Sequence, residues 1–279
     1  MSTKRLARLL TLVSLLLTTT AWAAPPLPVT ACGQTLRGPA LYYLPDHLAC
    51  PSGGTGLTLD SATLDLRGFT LSCAWPSTRC LTVQGRQAQV LHGTIDGGAH
   101  EALALEGAGS HRVTQVVVTP LDAAVLILSD NNSLREVTAE SGVNPAFFLQ
   151  GNDNRLSQIV AVCPFVAGNG CIEVKGHGNR LEDLDVTVTE TQNAPPVWLG
   201  AGAVQLTGND NEVRLSTLRN TDGPAIIVNG RDNRLLANRF DGIPDALDLS
   251  GGCTANTWKR NLFLTATGTL PCLLPLPGS

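Results

Sequence analysis

The stretch CIEVKGHGNRL, Cys171 to Leu181, decides how the rest of the chain reads. It opens on a small residue, alternates polar and apolar side chains, turns at Gly176 and restarts on an apolar residue after Asn179. The same order recurs in CLTVQGRQAQV (80–90), ALALEGAGSHRV (102–113), AFFLQGNDNRL (146–156), AVQLTGNDNEV (203–213), AIIVNGRDNRL (225–235) and ALDLSGGCTANTW (246–258). Gly85 and Gly107 are 22 residues apart, as are Gly208 and Gly230. The longer steps, 25 residues from Gly151 to Gly176 and 32 from Gly176 to Gly208, mark inserted loops. A repeat of this length built from short strands predicts a β-solenoid, in which stacking turns one weak turn into a continuous core.

Alternation assigns the faces of the first strand. Leu81/Val83, Phe147/Leu149, Ile172/Val174, Val204/Leu206 and Ile226/Val228 point inward, and the pattern places Leu126/Leu128 and Leu247/Leu249 in the same columns. Outward columns then hold Thr82, Ile127, Phe148, Glu173, Gln205, Ile227 and Asp248, followed by Gln84, Glu106, Ser129, Gln150, Lys175, Thr207 and Ser250. The corner glycines Gly151, Gly176, Gly208 and Gly230 suit a positive φ, and Asn154, Asn179, Asn211 and Asn233 suit either a left-handed turn or bonding along the stack. Ser216, Asn238 and Asn261 form a second polar column. About nine rungs make a rod roughly 40 Å long at the spacing of hydrogen-bonded strands.

The ends place the chain in the cell. Lys4, Arg5 and Arg8, the apolar LLTLVSLLL and the small-x-small Ala21-Trp22-Ala23 read as a signal peptide over 1–23. An N-terminal cap over 24–52, repeats over 53–268 and a Pro-rich tail over 269–279 complete the division, with secretion or the periplasm as destination. Removing the leader shifts the formal charge from −4 to −7 and leaves only Lys175 and Lys259 as lysines. That balance argues against nucleic acid as a partner, and no second long apolar run argues for membrane insertion. A monomer is expected, with no cofactor.

The stretch from CGQTLRGPALYYLPDHLACPSGG through CLTVQGRQAQVLHGTIDG to NTWKRNLF resembles secreted right-handed parallel β-helix proteins of the pectin-lyase-like superfamily. The resemblance implies an all-β, right-handed parallel β-helix with disulfide-tied caps, and the crossover rule supports the hand. It leaves function open, because one fold carries many activities. On the repeat alignment Cys73 pairs with Cys80 and Cys163 with Cys171, while Cys32–Cys50 ties the N-terminal cap and Cys253–Cys272 holds the tail.

Gly176-His177-Gly178 matches a triplet found beside catalytic aspartates in pectin-cleaving enzymes, yet it falls on the corner that the repeat itself demands. NTDG (220–223) and PDALDLSGG (244–252) resemble polygalacturonase motifs and nominate Asp222 and Asp245 as a carboxylate pair for glycoside cleavage. Against that pair, His177 precedes them, Asp245 stands alone where the family has two aspartates, and the Arg-x-Lys clamp is missing. The histidines fall at different repeat positions, so no metal site is expected. Trp198 and Phe165 in inserted or cysteine loops, with Trp75 and outward-facing Phe148, are the candidates for stacking on a sugar ring. The sequence therefore favours an exported scaffold that binds a polysaccharide, with a glycoside-cleaving enzyme and a purely structural surface protein as alternatives.

Overall fold

A computed structural model describes residues 24–264 apart from 54–55, 78, 99, 120–121, 143, 167–169, 192–200, 244 and 251–253. The leader, Trp198, Cys253, Cys272 and the Pro-rich tail lie outside the described residues. Every described element is a strand and every pairing is parallel, so the chain is an all-β parallel solenoid of about nine turns. A ten-stranded sheet runs from Gln34–Arg37 to Ala246–Asp248, and a sixteen-stranded sheet closes the other side of the coil.

Inside, like stacks on like. Val83, Leu105, Ile127, Leu149, Val174, Leu206 and Val228 form one buried column, with Leu81, Leu103, Val125, Phe147, Ile172, Val204 and Ile226 beside it. Each such side chain contributes about 1.5–3 kcal/mol by leaving water. On the larger sheet a left-handed residue bends the chain on successive rungs: His92, Gln115, Glu136, Gln158, Asp183, Leu215 and Ala237 all have φ between 50° and 56°. The bend breaks the period of two, so Leu156 and Ile159, three residues apart, both reach the core.

Two rungs correct the face assignment. Ile127 pairs with Leu105 and Leu149, so Val125 and Ile127 are interior, while Leu126 faces outward and Leu128 is 42% exposed. The run Val125-Leu126-Ile127-Leu128 offers no polar contrast to set its phase, and a slip of one residue exchanges the faces. Ser129 consequently occupies the corner position that glycine fills elsewhere, and is buried. At the last rung Ala246 lies under Ile226 and Asp248 under Val228, which turns Leu247 outward and leaves Leu249 44% exposed. Asp248 tolerates a core column because the stack ends there: its carboxylate accepts from Ser250 N, Asn256 Nδ2 and Trp258 Nε1 at 3.0–3.3 Å. Phe240, Trp258 and Phe263 pack as rings 5.2–6.4 Å apart at that end.

Of the corner glycines, Gly208 and Gly230 take the expected positive φ (143° and 158°), whereas Gly151 and Gly176 do not. A Cβ on Gly151, Gly176 or Gly208 would sit 2.1–2.2 Å from a carbonyl oxygen of the preceding rung, so close approach between rungs requires glycine there. The left-handed residue comes two positions later, at Asp153, Gly178, Asp210 and Asp232 (φ 55–65°). The asparagine that follows bonds along the stack. Asn154 N donates to Asn179 Oδ1, Asn179 N to Asn211 Oδ1 and Asn211 N to Asn233 Oδ1, all at 2.9–3.0 Å. Ser216, Asn238 and Asn261 repeat the arrangement in the second column.

Disulfides Cys32–Cys50, Cys73–Cys80 and Cys163–Cys171 are formed as the repeat alignment requires. Such bridges persist in oxidising compartments. No helix among the described residues is long and apolar enough to cross a membrane.

Candidate functional site

His177 belongs to the architecture. Its N–H donates to Asn152 Oδ1 at 2.9 Å and its Nδ1 accepts from Asn209 N at 3.1 Å, the same role that Asn152 and Asn209 play on neighbouring rungs. Gly178 supplies the left-handed turn that Asp153 and Asp210 supply elsewhere. The triplet is thus one rung of a corner ladder, and its imidazole stands in for an asparagine amide.

The two aspartates occupy unlike places. Asp222 is exposed at a corner, its N–H 3.3 Å from Asn220 Oδ1. Asp245 is 3% exposed, and its Oδ1 accepts from Gly242 N at 3.0 Å. Register places Asp245 beside Ala225, where other rungs carry small interior residues such as Ala102, Ala124 and Ala146. Counting back, Asp222 lies beside Gly242, three residues from the level of Asp245, consistent with the Ile243 N–H donating to Gly223 O at 2.8 Å.

The outer face of the ten-stranded sheet holds a more unusual arrangement. Its central column runs Leu126, Phe148, Glu173, Gln205 and Ile227, paired rung to rung. Although outward-facing, Glu173 is only 2% exposed. Its Oε1 meets Lys175 Nζ at 2.8 Å, and the same ammonium lies 4.8 Å from the centre of the Phe148 ring. The other oxygen, Oε2, is buried and has no hydrogen-bond partner among the described residues. Burying a carboxylate oxygen unpaired is costly, so such a group marks a place where a donor is expected.

Beside it, a hollow of about 290 Å³ is lined by Phe148, Leu126, Pro145, His100, Asp122 and Asn144. Asn144 Nδ2 donates to Asp122 Oδ1, and His100 Nδ1 lies 3.9 Å from Asp122 Oδ2. An aromatic wall with hydroxyl-binding groups at its edge suits a sugar ring. A comparison with protein-family models finds no match, and neither does a search of curated proteins. The reading of this face therefore rests on its geometry.

Of the other aromatic candidates, Trp75 is 67% exposed, and Phe165 lies in the strand Arg155–Val166 paired with Glu190. Among the described residues no group of three or more His, Cys, Asp or Glu side chains is placed to hold a metal ion. The sequence showed Phe148, Glu173 and Lys175 as outward, but not that Glu173 would be enclosed. The signal was their spacing across rungs, since Phe148 and Glu173 share a column and Lys175 stands two residues along the same strand.

Proposed function

We propose that the protein is an exported right-handed parallel β-helix of the pectin-lyase-like kind, acting as a scaffold that binds a neutral or weakly charged polysaccharide on the outer face of its ten-stranded sheet. The observation that carries this reading is the buried, unpartnered Oε2 of Glu173 beside the Phe148 ring. In the proposed complex the side chains over Glu173 move aside, so that a sugar hydroxyl supplies the missing donor while the apolar face of the ring stacks on Phe148. Lys175 holds the carboxylate in place and offers further N–H groups to the ligand. Trp198, Phe165 and Trp75 are further candidate contacts in this reading. The leader and the disulfides support export.

The test is affinity electrophoresis against a panel of plant and bacterial polysaccharides, with Phe148→Ala and Glu173→Gln as variants. Retardation by at least one polymer that both substitutions weaken is the expected result. Undiminished retardation in both would overturn the site. Release of reducing ends, lost in an Asp222→Ala/Asp245→Ala double variant, would instead make the protein a glycoside hydrolase.

A further inference from the structure

The chain is acidic overall, yet its arginines gather on the outer face of the larger sheet. Arg112, Ser133, Arg155, Arg180, Glu212 and Arg234 occupy one column. Thr114, Arg135, Ser157, Glu182 and Arg214 occupy the next. Hollows of about 430, 500 and 300 Å³ follow these columns, the first two meeting at Ser133 and the last two sharing Arg155 and Glu182. Together they form a groove along the rod that spans about 29 Å from the Gln89 strand to the Arg234 strand, at the spacing of paired strands.

Its centre has a particular geometry. Ser133 pairs with Arg155 and Arg135 with Ser157 on adjacent rungs, so two arginines and two serines alternate around four neighbouring positions. All four line the 500 Å³ hollow. The arginines are held by their own neighbours: Arg135 Nε donates to Gln158 Oε1 at 3.0 Å and its NH2 lies 2.9 Å from Glu136 Oε1, while Arg155 NH2 lies 3.2 Å from Glu182 Oε2. A guanidinium has five N–H donors, so each keeps several for a ligand and is already oriented. Glu182 is in turn fixed by Arg214 at 2.6 Å, whose hydrogen bond holds its carboxyl below the usual range against a smaller opposing effect of burial.

The geometry points to an oxyanion-binding site at Ser133, Arg135, Arg155 and Ser157 that takes the sulfate or phosphate esters of an extended glycan. A tetrahedral ester presents several oxygens at once, which suits donors converging from four corners better than a single planar carboxylate does. Among the described residues its lining holds no Phe, Tyr or Trp on which bases could stack, and Glu182 and Asp183 can accept bonds from the sugar hydroxyls between esters. This site lies on the other sheet from Phe148 and stands independently of it.

Affinity electrophoresis at about 0.15 M ionic strength, where nonspecific surface attraction is screened, separates the possibilities. The full chain is run through gels containing dextran sulfate, a phosphorylated mannan or neutral dextran. Retardation in either ester gel and none in neutral dextran is expected, and the gel that retards identifies the ester. Ser133→Ala/Ser157→Ala, which changes no charge, should weaken binding about 10-fold, and Arg135→Gln/Arg155→Gln about 100-fold, since each removes bonds to a charged group. Arg37→Gln/Arg260→Gln removes the same charge elsewhere and should change it less than about 3-fold. Thermal melts confirm that each variant is folded. Equal losses in the two arginine pairs, no loss in the serine pair, equal retardation in neutral dextran, or none in any gel would each overturn the site.

Discussion

On the turn that carries Glu173 and Asn179, two buried polar groups lie only a few residues apart and are treated oppositely. At the corner, the Asn179 amide is committed: Oδ1 accepts from Asn154 N, and Nδ2 reaches Gly151 O at 3.1 Å and Asn211 Oδ1 at 3.2 Å. On the outer face, Glu173 is equally enclosed but leaves Oε2 unpaired. Among the described residues, Asn154 Nδ2 is the one ladder atom that shares this condition. The contrast separates architecture from function, because a repeat that satisfies its polar atoms on rung after rung has no structural need for an unpaired carboxylate oxygen. Selection for stability alone would have replaced Glu173 with an apolar residue.

Breaking the corner should have the largest effect. Gly176→Ala places a methyl 2.1 Å from Gly151 O, backbone against backbone, and should cost about 3 kcal/mol or prevent folding, read from urea melts. Asn179→Ala comes next. It strands the Asn154 N–H and the Gly151 carbonyl, and a loss of about 2 kcal/mol is expected from the same melts.

His111 sharpens the comparison because it begins the inner ladder. Its Nδ1 accepts from Ala88 N at 3.2 Å, and its Nε2 lies 2.7 Å from the Glu106 carbonyl, so the neutral ring fits both partners. Burial, partly opposed by the Glu106 bond, lowers its pKa below the ordinary 6.5. Unfolded chains therefore bind a proton below about pH 6.5 that the folded chain refuses, and stability falls as pH drops through that window, by at most about 1.4 kcal/mol per unit. His111→Asn should flatten this part of a stability–pH profile, since asparagine keeps the ladder and does not titrate. An unchanged slope would show that other groups set it.

The smallest stability change belongs to the functional face. Glu173→Leu should leave the melting midpoint unchanged or raise stability by about 1 kcal/mol, because it removes a buried charge whose partner Lys175 can turn to solvent. A loss above about 2 kcal/mol would make Glu173 a structural residue and erase the contrast with the corner.

The fold was legible because the repeat carries three punctuators in fixed order, a small residue, a glycine and an asparagine, and the bridges Cys73–Cys80 and Cys163–Cys171 fall on that frame. Legibility failed where the frame lost its marks. Val125 to Leu128 has no polar residue to set its phase, and Ser129 hides the glycine corner. At the last rung, Asp248 took a core column because Trp258 and Asn256 meet it there, contacts that alternation along one strand does not encode. The arginine groove escaped notice for a different reason. Its rungs are 20 or more positions apart, yet the mark was present in the repeated Asn-Arg-Leu of 154–156, 179–181 and 233–235, where arginine follows three of the ladder asparagines. Only the stack reveals that these arginines share one face.

The most direct test of the account is calorimetric titration of the polysaccharide that best retards the protein, comparing the wild-type chain with Glu173→Gln. The account predicts that binding weakens about 10-fold or more while the melting midpoint holds, as expected when a bond to a charged acceptor is lost at a site the fold does not need. Equal affinity in the two proteins would contradict it, and would leave Glu173 a buried charge without a function.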